Sequence, residues 1–423
     1  MPEANSASTT ALVEGSARGP ATQAERIVPL DALRGLALLG ILVMNIQSFA
    51  MIDSASFNPT AFGDLTGANY WVWYLSHLLA DQKMMTIFSM LFGAGIVLIT
   101  RRNESATGRS AGLHYRRMGI LFVLGLLHGY LLWFGDILHA YALCGLVVYL
   151  FRNFRPWSLL VLGFLLLLIG STLSLLIGRG MQLLPPEELS EFSRDFWKPP
   201  PKVIAEELAA YRGDWLTEIV HRAPTTFEIQ TGVFATFIGW RAGGLMLVGM
   251  ALFKLGVFDA TRSPRTYGAM IAVAVLVGIP TIMFGVRRNV ESGWTAEYSF
   301  FAGSQHNYWA SILVSGGWIG IVMLACQNER CVPVTRRLAA VGQMALTNYL
   351  LHSLICTTIF YGRGFGLYGQ VERVGQIGIV FLIWTFQLIV SPLWLQHFRF
   401  GPAEWLWRSL TYSECQPLRM TSR

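Results

Sequence analysis

Charge is scarce in this chain. Only 13% of its 423 residues are Asp, Glu, Lys or Arg, where soluble domains carry roughly a quarter. With 53% hydrophobic residues and a mean hydropathy of +0.46, that scarcity excludes a string of soluble domains and points to a polytopic membrane protein. Cysteine is sparse as well. Of the five (Cys144, Cys326, Cys331, Cys356, Cys415), two fall inside apolar runs, and Cys326 and Cys331 lack companions at zinc spacing. No HxxxH, HExxH or P-loop occurs, so no metal is expected. Residues 1–25 have no basic stretch followed by an apolar one and read as a disordered cytoplasmic tail, not a cleaved signal peptide. The net charge of +7 sits in short clusters between apolar runs, which suits topology-setting charges and argues against a nucleic-acid partner.

What the chain has instead is long apolar runs. A hydrocarbon core of roughly 30 Å takes about 20 apolar residues per helix. Spans are expected at 31–51, 84–100, 117–134, 137–152, 156–178, 234–256, 266–285, 306–326, 338–360 and 375–396. The expected fold is an all-α, polytopic integral membrane bundle of about ten transmembrane helices, one domain over 26–412 with a short tail at 413–423. The segment 70–83 either lies at the interface or extends the second span. Residues 179–233 are hydrophilic and read as an extracytoplasmic segment.

Basic residues alternate in side. Arg26, Arg101, Arg102, Arg109, Arg116, Arg117, Arg152, Arg155, Lys254, Arg330, Arg336, Arg337 and the tail arginines including Arg423 fall on one side of this scheme. The opposite short loops hold only Lys83, Arg287, Arg288, Arg363 and Arg373. The positive-inside rule then puts both termini in the cytoplasm.

Against that background the polar residues at membrane depth stand out. Asp31 and Arg34 lie three apart at the inner end of the first span, close enough to pair. Asn45 is about 16 Å further along the same helix, where it serves either helix packing or a site. In "LGLLHGYLLWFGDILHAYAL", His128, Asp136, His139 and Tyr141 are brought together by a tight outer turn. A carboxylate beside an imidazole orients it for general-base work; the bland alternative is an Asp cap on the next helix. Arg241 sits near the outer end of the sixth span, either snorkelling or facing inward as an anion binder. Asn348 and His352 lie four apart on one face of the ninth.

Several of these stretches resemble the YeiB family: "RIVPLDALRGLALLGILVMNI", "FSMLFGAGI", "RRMGILFVLGLLHGYLLWFGDILHAYALCGLVVYLFR", "ALTNYLLHS" and "GPAEWLWRSLTY". The likeness runs from about residue 26 to 412. The wider group includes heparan-alpha-glucosaminide N-acetyltransferase, whose opening pattern "LDxxRGxALxxxxxxN" is similar. That resemblance implies transfer of an acyl group across the membrane, from cytosolic acyl-CoA to an extracytoplasmic acceptor such as a glycan. It also implies a role for Asn45 in positioning the acyl group. The histidine that the acetyltransferase carries after its first span is absent: none occurs between Asn45 and Tyr70, and the next is His77. A histidine relay then needs His128, His139 or His352 to substitute from another helix.

The expectation is therefore an acyltransferase with acyl-CoA as cosubstrate and no metal. His128 or His139, assisted by Asp136, would act as base, with Asn45 and His352 also catalytic. Asp31, Arg34, Arg241, Asn348 and Tyr141 would bind substrate. The alternative is a transporter or flippase whose route these groups line. The bilayer is the certain partner, a glycan acceptor the implied one, and a homodimer is left open.

Overall fold

The computed structural model describes residues 26–107 and 110–420; the tail 1–25, Arg109 and Arg423 lie outside the described residues. Apart from one isolated bridge between Phe398 and Arg419, the described residues hold no strand. The chain is an all-α helical membrane bundle. Its helices are α1 (Val28–Ala50), α2 (Gly67–Leu79), α3 (Lys83–Thr107), α4 (Ala111–Leu131), α5 (Leu138–Val148) and α6 (Pro156–Met181). There follow α7 (Pro186–Phe192), α8 (Pro201–Tyr211), α9 (Trp215–Glu228), α10 (Gly239–Lys254), α11 (Pro264–Val273) and α12 (Ile279–Glu291). The last five are α13 (Gln305–Gln327), α14 (Val332–Gln343), α15 (Ala345–Phe360), α16 (Arg373–His397) and α17 (Pro402–Tyr412).

Local sequence sets many of the starts. Proline opens α1, α6, α7, α8, α11 and α17, where its missing N–H would have no helical partner in any case. Asp214 caps α9 by accepting the Thr217 amide at 2.8 Å.

Helix α1 is the axis of the bundle, with Ala32, Leu33, Ala37, Leu38 and Leu42 fully buried. It crosses α14 where Gly35 faces Leu338 and Gly342 faces Asp31; neither glycine has room for a Cβ. Helices α6, α11–α12 and α16 form the rim. Phe164, Leu176, Leu276, Phe381 and Leu382 point outward there, as lipid-facing residues must.

Seven helices are long and apolar enough to cross a membrane, and an eighth results if one bent pair counts as a single span. The difference from ten has clear causes. Helix α4 carries His114, Arg116, Arg117 and His128 within its 21 residues, and α5 has only 11. The expected ninth span is not one helix. It breaks at Met344, and α14 and α15 meet at 78°. The segment 70–83 extends the second span, with Gly67–Arg102 reading as one crossing. The hydrophilic stretch is helical for most of its length: α9 begins at Trp215 and runs through the π-wound stretch Ile229–Ile238 into α10.

Candidate functional site

The connection from α4 to α5 spans only residues 132–137, so the two helices lie side by side. Gly125 makes the approach close enough, because a Cβ there would collide with the His139 amide and the Asp136 carboxylate. Asp136 is shared between two imidazoles. Its Oδ1 is 2.9 Å from His128 Nδ1 and its Oδ2 is 3.1 Å from His139 Nδ1. Oδ2 also accepts the His139 amide at 3.0 Å, so Asp136 caps α5 and holds both rings at once. A carboxylate only accepts, which places a proton on each Nδ1; in a neutral ring the lone pair is then on Nε2. His128 Nε2 spends it on Ser353 Oγ, 2.8 Å away on α15. His139 Nε2 is buried and has no hydrogen-bond partner among the described residues. All four groups are 3% exposed or less.

A cavity of about 480 Å³ leads toward this cluster from the face that carries the start of α1 and helix α17. Arg26, Arg34, Arg102, Arg117 and Arg408 ring its mouth. Asp31 lies among them, 2.8 Å from Arg34 and 3.4 Å from Arg26. Arg117 stacks on Trp407 at 4.2 Å, and burial together with Arg26 pushes Arg408 down to about 10, still charged at neutral pH. Deeper, the wall is apolar, with Phe88, Leu91, Phe92 and Leu121. The inner end is Ile137, Tyr141 and Tyr349, directly against Asp136 and one helical turn from Ser353. Along α3 the cavity spans Arg102 to Phe88, about 21 Å of helix.

A second buried polar group lies beyond the cluster, on the side away from the cavity mouth. Arg222 donates to the carbonyls of Tyr130 and Leu132 at the end of α4 and pairs with Glu218. Glu207 accepts the Asp53 amide and the Tyr368 hydroxyl, each at 2.8 Å. Tyr211 stacks on Tyr368 at 4.5 Å. Asp53 Oδ1, Tyr211 Oη, Tyr361 Oη and Trp133 Nε1 are all buried with no partner among the described residues. Trp133 bridges the two regions, its ring 6.5 Å from that of His128.

The structure thus gathers His128, Asp136 and His139 in one cluster, with Tyr141 at the cavity end beside it and Asp31 and Arg34 at the mouth. Tyr141 also bonds Ser89 at 2.7 Å. The other candidates stand elsewhere. Arg241 is engaged in a separate knot, donating to Tyr308 O, Thr86 Oγ1 and Ser311 Oγ and stacking on the Tyr308 ring at 4.3 Å. His352 bonds Gln387 at 2.9 Å, facing α16 instead of α4. Asn348 donates to Val341 O and Ser391 Oγ, which ties the broken helix together. Asn45 is half-buried one turn outward of the cavity-lining Ile41, and no hydrogen bond joins it to the cluster. Ser353 and Tyr349 were not singled out from the sequence. Their i, i+4 spacing marks a second polar face of α15, but Ser and Tyr are common in packed helices and carry no distinctive motif.

These features define a polytopic α-helical membrane protein with an arginine-mouthed cavity whose inner end, at Ile137, Tyr141 and Tyr349, packs against a buried carboxylate–imidazole cluster. Residues 26–198 match the family described as "Heparan-alpha-glucosaminide N-acetyltransferase, catalytic", and residues 252–414 match "Protein of unknown function (DUF418)". The chain is 32% identical over 402 residues to the uncharacterized protein YeiB of Escherichia coli (strain K12), across 94% of this chain and 100% of that one. It is 30% identical over 422 residues to the uncharacterized protein YxaH of Bacillus subtilis (strain 168), across 94% and 97%. The chain belongs to the YeiB-like family of membrane proteins.

Proposed function

We propose that this protein is an acyltransferase of the bacterial inner membrane. It takes an acyl group from cytosolic acyl-CoA and delivers it to an extracytoplasmic acceptor such as a glycan. Both termini are then cytoplasmic, and the cavity opens to the cytoplasm. The observation that carries this reading is the cavity itself, with arginines at its mouth, an apolar barrel, and an inner end at Ile137, Tyr141 and Tyr349 that lies against the buried histidine cluster. Guanidinium groups suit the phosphates of CoA. The apolar walls suit an extended pantetheine arm, whose thioester would arrive at Tyr141, Tyr349 and the histidine cluster. An imidazole oriented by a carboxylate suits general-base work at that point.

The match to an acetyltransferase catalytic family over residues 26–198 agrees with this, since that stretch includes Asn45, His128, Asp136 and His139. Beyond the cluster, the unpartnered hydroxyls, carboxylates and stacked tyrosines around Asp53 and Glu207 suit a hydroxyl-rich acceptor. Such a molecule would supply the missing hydrogen bonds.

The test uses sealed proteoliposomes loaded with candidate glycans, with labelled acetyl-CoA outside. Label appearing covalently on an internal glycan supports the transferase. A glycan or acyl donor that crosses unmodified would replace it with a transporter.

A further inference from the structure

We propose that Ser353 is an acyl-carrying nucleophile, activated by His128 and Asp136, so that transfer proceeds through a covalent acyl-serine. This deepens the acyltransferase reading and rests on it.

Three groups from three elements stand in sequence: Asp136 Oδ1 to His128 Nδ1 at 2.9 Å, then His128 Nε2 to Ser353 Oγ at 2.8 Å. A carboxylate that fixes the tautomer, an imidazole that accepts a proton and a hydroxyl that gives one are the parts of an activated nucleophile, recognised by geometry instead of chain order. Packing alone is a poor explanation of the contact. A buried helical hydroxyl ordinarily satisfies itself on the carbonyl four residues back. Ser89, Thr226, Ser315 and Thr411, all buried, do so here. Ser353 does not; its hydrogen bond among the described residues goes to His128, 225 residues away in sequence.

The location fits a relay. Ser353 lies one turn beyond Tyr349, which lines the inner end of the cavity, and on the other side His128 faces Trp133 and the outer polar group. Tyr349 Oη is buried with no hydrogen-bond partner assigned among the described residues, and its ring is 5.2 Å from that of His128. Its hydroxyl is a candidate donor for a developing oxyanion.

In the first half-reaction, Ser353 Oγ attacks the thioester carbon while His128 Nε2 takes its proton. The C–S bond breaks, the sulfur recovers that proton from His128, and free CoA thiol leaves a serine ester. In the second, an acceptor amine or hydroxyl attacks the ester carbon and gives its proton to His128. The C–O bond to Ser353 breaks, and His128 returns the proton to Oγ. The sum is acyl-CoA plus acceptor giving acylated acceptor plus CoA.

The test is acceptor-free labelling of the full-length protein in nanodiscs, with radiolabelled acetyl-CoA and octanoyl-CoA in parallel. Wild type is expected to release CoA in a burst and to retain label, mapped to Ser353 by peptide mass spectrometry. Ser353→Ala should lose the label by about 100-fold or more. Ser353→Cys guards against misfolding: it should still take label, now as a thioester released by neutral hydroxylamine. Label on His128 or His139 overturns the proposal. So does full acceptor acylation by Ser353→Ala, which would mean direct transfer and leave the acyltransferase reading intact. Absence of both label and transfer in wild type, with either CoA ester, removes the relay and that reading together.

Discussion

Glu404 caps the first turn of α15, just after the break at Met344, through Thr347. One carboxylate oxygen accepts the Thr347 amide at 3.1 Å and the Leu346 amide at 2.6 Å, and the other accepts the Thr347 hydroxyl at 2.5 Å. An amphipathic helix near the C-terminus thus caps α15, the helix that carries Tyr349 and Ser353, and its residues Trp407 and Arg408 line the cavity mouth. Glu404→Ala removes the cap and leaves the buried Leu346 amide and the part-buried Thr347 amide unpaired. A loss of about 1–2 kcal/mol is expected, read as a lower melting temperature in detergent. Glu404→Gln should recover part of it, and an unchanged melting curve for both variants would refute the capping role.

The histidines should separate cleanly in acyl transfer. His128→Ala removes the group between Asp136 and Ser353 and should lower the rate by about 10²–10⁴-fold. His352→Gln, facing Gln387, should leave the rate within a few-fold of wild type. Initial rates in proteoliposomes decide this, and equal losses at both positions would dissolve the distinction.

At the cavity mouth, Arg408→Ala should weaken the CoA substrate without slowing the chemical step. A charge-assisted hydrogen bond contributes about 1.5–3 kcal/mol, so KM should rise roughly tenfold or more with kcat unchanged. The effect should shrink at high salt. A fall in kcat with constant KM would move Arg408 out of the binding role.

Beyond the membrane-spanning segments, Asp53 and Glu207 give the region around them a pH dependence. Burial and the neighbouring Glu207 push the Asp53 carboxyl well above its usual range, with Arg222 opposing, and burial raises Glu207. An acid whose folded pKa is raised holds its proton more tightly when folded. Its stabilisation is complete below the ordinary carboxyl value near about 4 and is lost as pH rises through the folded value. Protease resistance of the 179–233 segment should therefore decline from mildly acidic toward neutral pH. Asp53→Asn should flatten that profile and protect the segment at neutral pH. A profile identical to wild type would exclude Asp53 as its source.

Much of the bundle is legible in one dimension because a bilayer imposes a length and a polarity on each crossing. The edges of α1, α6, α13 and α16 follow directly from apolar runs and opening prolines. The meeting of His128, Asp136 and His139 is legible too, since eleven residues and one tight turn leave them nowhere else to go. The break at Met344 was not. No proline stands at it, and the carboxylate that stabilises it comes from Glu404, nearly sixty residues downstream.

Sequence by itself determined an all-α membrane protein, the side-by-side pairing of α4 with α5, and the cluster held at their turn, all consequences of short-range chain connectivity and hydrocarbon thickness. Tertiary structure decided which polar residues share a site. It turned Asn348 and His352 toward α16 and buried Arg241 in its own knot. It also brought Ser353 onto His128, because the rotation of α15 is set by packing and a distant cap, and hydropathy carries no record of that rotation.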